Sequence, residues 1–126
     1  MELIKGKPIA ESILTEIKKR IEKQFQKPKL VVIMIGNDEA SQIYVKLKEK
    51  ASENIGINFQ KIIFPAEVEE VKVIEVIKKL NEDFTVNGII VQLPLPPSLN
   101  KNKIVDAIAP DKDVDGFHRK NRNAFL

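Results

Sequence analysis

Apolar residues recur along this chain in two alternating rhythms. Ile9, Ile13, Leu14, Ile17, Ile21 and Phe25 keep a helical spacing and predict a helix over 9–25. Pro8 precedes it and Pro28 ends the segment. Leu30 to Ile35 is an unbroken apolar run, the signature of a strand buried on both faces. Gly36 and the turn and cap formers Asn37 and Asp38 follow, then a helical pattern from Ala40 to Ile55 that Gly56 closes. Asn58 to Phe64 reads as a second strand stopped by Pro65. Val68, Val71, Ile74, Ile77 and Leu80 predict a third helix. Val86 to Leu93 predicts a third strand, interrupted by Asn87-Gly88 and running into Pro94-Leu95-Pro96-Pro97. A short helix over 101–109 carries Ile104, Val105 and Ile108, and Pro110 closes it. No regular element is expected over 111–126.

One helix followed by three strand–helix units argues for an α/β fold. The expected form is a three-layer open parallel sheet with helices on both faces and right-handed crossovers. No repeat, low-complexity segment or internal domain boundary is visible. On the helix expected over 40–55, the stripe of Ile43, Leu47, Ala51 and Ile55 is the expected core face.

Composition narrows the function classes. Of 126 residues, 43% are hydrophobic and 31% charged, as expected for one globular domain with its own core. The net charge of +3 comes from Lys and Glu interspersed on helix faces, and aromatics make up only 6%, so nucleic acid is not the expected partner. The balance suits anionic small molecules. There is no Cys and a single His, His118, so neither a disulfide framework nor a metal site is expected. No apolar run has signal-peptide or membrane-span length, which makes a reducing cytoplasmic setting the default expectation.

Candidate chemistry lies where the first strand meets its helix. Ser41, Tyr44 and Lys48 stand at i, i+3 and i+7, so they share one helix face bordering the apolar stripe. A hydroxyl, a phenol and an amine thus converge above a strand end. The other reading of Lys48 is a stem laid on apolar surface with its ammonium in water. In open α/β sheets ligands bind beyond the carboxyl ends of the strands. The third strand delivers Gln92 and a rigid proline turn to that same edge. A neutral amide such as Gln92 could hold an amine without a full counter-charge, and Asp115 could accept hydrogen bonds from amino and ring N–H groups of a ligand. The proline turn also fits a PxxP ligand, although it directly continues a buried strand. Asp111-Lys112-Asp113-Val114-Asp115-Gly116 begins like a calcium loop but has Arg122 where such a loop needs Glu. Neither a dinucleotide fingerprint nor a Walker sequence occurs.

Three motifs stand in this order: Ser41-x-x-Tyr44-Val45-x-x-Lys48, Gly88-Ile89-Ile90-Val91-Gln92-Leu93-Pro94-Leu95-Pro96, and Pro110-x-Lys112-Asp113-Val114-Asp115-Gly116-Phe117-His118. Together they closely resemble the bifunctional methylenetetrahydrofolate dehydrogenase/cyclohydrolase family, the FolD proteins, from Gly6-Lys7-Pro8 to about Asn121. The resemblance implies oxidation of 5,10-methylenetetrahydrofolate to the 5,10-methenyl form with NADP or NAD, then hydrolysis to 10-formyltetrahydrofolate. It implies Lys48 as the catalytic lysine, chiefly for the hydrolysis, with Gln92 as its partner. Tyr44 would pack on the substrate's ring system, Asp115 would anchor the pterin, and Ser41, Leu93 and Pro94 would line the same cleft. It also implies a Rossmann domain, carrying the nicotinamide site, that these 126 residues do not include. Residues 1–126 would be the folate-binding catalytic domain and 111–126 the start of a linker. After His118 the chain departs from the family's pattern, with Arg119 and Asn121-Arg122-Asn123. Family members commonly form homodimers through contacts that also involve the second domain, so a homodimer is one expected assembly. Two other readings stay open: a non-catalytic folate-binding or interaction module, and the substrate domain of another two-domain dehydrogenase.

Overall fold

The computed structural model describes residues 6–116, with side chains from residue 10 onward. The expectations on residues 117–126, His118 among them, lie outside the described residues. The element order is α1 (Gly6–Glu22), β1 (Lys29–Ile35), α2 (Glu39–Ile55), β2 (Asn58–Phe64), α3 (Glu70–Glu82), β3 (Gly88–Val91), α4 (Lys101–Ala107), then a 3-10 turn over Pro110–Lys112. The three strands form a parallel sheet in the order β2-β1-β3. No helix of the described residues is long and apolar enough to cross a membrane.

β1 is central, and its side chains alternate between two cores. Val31, Ile33 and Ile35 point to one face, where they meet Ile89 and Val91 of β3, Val73 and Ile77 of α3, and Ile104 of α4. Val32 and Met34 point to the other, with Ile90 of β3 and Val45 of α2. A strand clothed on both sides needs apolar residues at every position, which is why its sequence shows no alternation.

Several element boundaries differ from the expectation. α1 begins at Gly6 and takes Pro8 into its first turn, where a missing N–H breaks no helical bond. It ends at Glu22, leaving Phe25 outside and fully exposed. α3 begins at Glu70, after a turn in which Val68 N–H donates to Pro65 O. β3 is only four residues long because only Leu30 to Ile33 of β1 lie opposite it.

The larger correction concerns α2. Its buried positions are Ser41, Val45 and Ser52, not the apolar stripe. Ile43 and Leu47 are each 59% exposed. Two of the three buried residues are serines, and Val45 is the buried apolar residue that α2 adds to this core. The helix is fixed at both ends. Asp38 caps its start, its carboxylate accepting from Ser41 N at 2.9 Å. Gly56 ends it in the left-handed conformation, at φ 89°, as its position in the sequence predicted.

Candidate functional site

The carboxyl ends of β1 and β3 lie side by side, and the chain leaves each through a turn. After β1 the turn carries Asp38 and enters α2. The Ser41 hydroxyl lies 3.0 Å from Asp38 Oδ2 and 3.4 Å from the carbonyl of Leu93, in the turn after β3. Its single proton serves both acceptors, so it ties the two turns together. Ser41 is only 2% exposed, and its polar group is committed inside the protein.

Lys48 sits two turns further along α2. Helical side chains lean toward the N-terminus of their helix, which aims this one back at the strand ends. Its ammonium donates to Gln92 Oε1 at 2.9 Å. Gln92 is nearly buried, its backbone N–H donates to Ile33 O at 2.8 Å, and its Nε2 donates to Leu93 O at 3.2 Å. The amide is therefore held at both ends, with its oxygen toward the lysine. The next peptide bond, Leu93–Pro94, is cis. Tyr44 lies between Ser41 and Lys48 on α2 and is 57% exposed.

Asp115 arrives by a different route. Asp113 pairs with Ile89 as a parallel bridge on the outer side of β3. The chain then turns at 114–115, and Asp115 lines a small crevice with Val91, Asp113, Val105 and Ile108. Asp115 itself is exposed. Of the residues singled out in the sequence, Ser41, Lys48, Gln92 and Leu93 are joined by hydrogen bonds. Tyr44, Pro94 and Asp115 stand on the same edge of the sheet.

Asp38, a turn and cap former in the sequence, holds the helix start as expected and the Ser41 hydroxyl as well. One contributor was not legible: Lys112 stands in the sequence only as part of a motif. Its ammonium donates to three backbone carbonyls, Leu80 O at 3.0 Å, Asn81 O at 2.8 Å and Asp83 O at 2.8 Å, all where α3 ends. The only prior signal was a cation two residues beyond a helix-closing proline. Nearby, the Asp83 carboxyl is held below its ordinary range, first by the Thr85 hydroxyl and then by the Thr85 N–H.

The alternating acids Asp111, Asp113 and Asp115 do not fold into a calcium loop. Asp111 sits in the 3-10 turn, Asp113 is tied to β3, and the Lys112 ammonium turns away to α3. Among the described residues no group of three or more His, Cys, Asp or Glu is placed to hold a metal ion. Nor does the strand–helix turn after β1 fit a dinucleotide. The N-terminus of α2, where a pyrophosphate would seat, is filled by the Asp38 carboxylate.

Comparison with known proteins identifies the family of the chain. Residues 4–115 match the family model "Tetrahydrofolate dehydrogenase/cyclohydrolase, catalytic domain". The bifunctional protein FolD of Hydrogenobaculum sp. is 45% identical over 121 residues, which is 96% of this chain and 44% of that protein. FolD of Exiguobacterium sibiricum is 46% identical over 119 residues, 92% of this chain and 43% of that protein. The crystal structure of the bifunctional enzyme FolD from Campylobacter jejuni superposes with a TM-score of 0.93 at 37% identity, covering 98% of this chain and 45% of that one. The Trypanosoma brucei FolD, solved with NADP cofactor and inhibitor, superposes with a TM-score of 0.83 at 32% identity, covering 90% of this chain and 40% of that one. The chain thus spans less than half the length of these relatives. Along nearly all of its own length it belongs to the tetrahydrofolate dehydrogenase/cyclohydrolase family, within that family's catalytic domain.

Proposed function

We propose that this chain supplies the folate site of a methylenetetrahydrofolate dehydrogenase/cyclohydrolase and that Lys48 carries the hydrolysis of 5,10-methenyltetrahydrofolate to 10-formyltetrahydrofolate. The observation that carries the reading is the Lys48–Gln92 hydrogen bond of 2.9 Å, made between two elements at the carboxyl edge of the sheet. In the hydrolysis, water adds to the methenyl carbon and gives up a proton. The bond from that carbon to N5 then breaks as N5 gains a proton and the added hydroxyl releases its own to solvent, leaving the formyl group on N10. Lys48 Nζ, held toward the strand ends by Gln92 Oε1, is the group proposed to pass these protons between the water and N5. Tyr44 offers an exposed ring for the folate ring system to stack on. Asp115 offers a carboxylate to the amino and ring N–H groups of the pterin. Oxidation of the methylene form requires NADP or NAD, and the described residues do not fit such a cofactor. In this reading the nicotinamide is held by a Rossmann domain, reached through a linker that starts beyond Lys112 and Asp113, both still bonded to this domain.

The test is the decay of methenyltetrahydrofolate absorbance with and without the protein. Replacing Lys48 with Met keeps the stem and removes the amine. Turnover should fall by roughly 10²-fold or more while folate binding persists. Full activity in Lys48→Met defeats the assignment. Binding without any acceleration by the native chain would instead mark a folate-binding module.

A further inference from the structure

We propose that Lys112 and Gly88 are positioning residues for Asp115, forming with residues 112–114 a rigid strut that sets the pterin-binding carboxylate in place. This rests on the reading of Asp115 given above. Asp115 is exposed and lies past the last helix, where a chain without anchors would sample many positions. Three ties remove that freedom. The first is the Lys112 ammonium, all three of whose protons point at carbonyls ending α3, at 2.8 to 3.0 Å. A cation there also complements the negative end of the helix dipole. The second is the backbone bridge from Asp113 to Ile89.

The third tie is the seat of Val114. A Cβ placed on Gly88 would lie 2.5 Å from Val114 Cγ2 and 3.2 Å from Leu30 Cδ1. Val114 is 58% exposed, but its Cγ2 occupies the volume that a side chain at position 88 would take, so Gly88 is needed for space rather than for its backbone angles. Beyond Asp115 the chain turns at once. Gly116 is left-handed at φ 72°, and its N–H donates to Asp113 O at 3.3 Å. The ties are thus made by the neighbours of Asp115, and its carboxylate is presented without being one of them. Ordering this segment before ligand arrives removes an entropic cost from binding.

The experiment is calorimetric titration of the 126-residue protein with tetrahydrofolate. The variants are Lys112→Met, Lys112→Arg, Gly88→Ala, Asp115→Ala and the Lys112→Met/Asp115→Ala double. Lys112→Met and Gly88→Ala should each weaken binding by about fivefold or more. The saturated rate of methenyltetrahydrofolate hydrolysis should change by less than about twofold. Lys112→Arg keeps donors for the carbonyls and should recover most of the affinity. The double variant should bind no more weakly than Asp115→Ala alone. Additive losses, or native affinity in both Lys112→Met and Gly88→Ala while Asp115→Ala is weakened, overturn the strut. Native affinity in Asp115→Ala overturns the role of Asp115 itself. Thermal melts identify a variant that fails to fold, and Gly88→Ala and Lys112→Arg then carry the test.

Discussion

The two faces of the sheet are covered very differently. Under α3 and α4, Ile33, Ile77, Ile89 and Ile104 are wholly buried, with Ile62, Phe64, Leu80 and Leu95 packed around them. Under α2 the buried set shrinks to Val32, Met34, Val45 and Ile90. α1 lies against α2 rather than against the sheet, and of its apolar residues Ile21 is buried while Ile13, Leu14 and Ile17 are exposed. The thin side is also the side of Ser41, Tyr44 and Lys48. A helix that presents a hydroxyl and an amine to the strand ends must turn a polar face inward, and its apolar residues are displaced outward. Stability is concentrated on one face of the sheet, and the candidate chemistry on the other.

Substitutions on the two faces can break or sharpen this contrast. Ile77→Ala empties a fully buried site in the larger core and should cost about 2–5 kcal/mol, read by denaturant unfolding. A loss under 1 kcal/mol would mean that this face is looser than its burial implies. Asp38→Ala removes the cap of α2 and the near acceptor of Ser41, and should cost about 0.5–2 kcal/mol. It should also lower folate turnover more than Ile77→Ala does when both are compared well below their melting transitions. Leu47→Ser, on the outer face of α2, should change stability by no more than about 0.5 kcal/mol. A cost as large as that of Ile77→Ala would show that the outer stripe is covered in solution, and the contrast between the faces would disappear.

How far the sequence could be read follows the same division. The unbroken run Leu30–Ile35, the periodic α3 and the left-handed Gly56 were legible because burial on both faces, one-sided burial and a positive φ each leave a local mark. The inner face of α2 was not legible. Ser41 and Ser52 look like surface residues, and only a sheet pressing on them makes them core. For the candidate site, the Ser41, Tyr44, Lys48 face and the approach of Gln92 could be anticipated from spacing and from the direction of parallel strands. The Lys48–Gln92 bond itself spans 44 residues of sequence and depends on how α2 sits over β3. The grip of Lys112 was beyond reach for a related reason. Its partners are main-chain carbonyls at the end of α3, and a carbonyl carries no sequence signature.

β2 lies at one margin of the sheet, bonded to β1 along its whole length, and among the described residues no strand pairs with its other side. A row of unpaired amides beside Ile62, Ile63 and Phe64 is a template onto which a second chain could add a strand. Lys61 stands in the middle of that row, with its ammonium 3.4 Å from Glu49 of α2. An incoming strand would have to bury this charge or pull it from its partner. One surface ion pair of little thermodynamic weight thus acts as a barrier to aggregation, and its value is set by the contacts it prevents rather than by the one it makes.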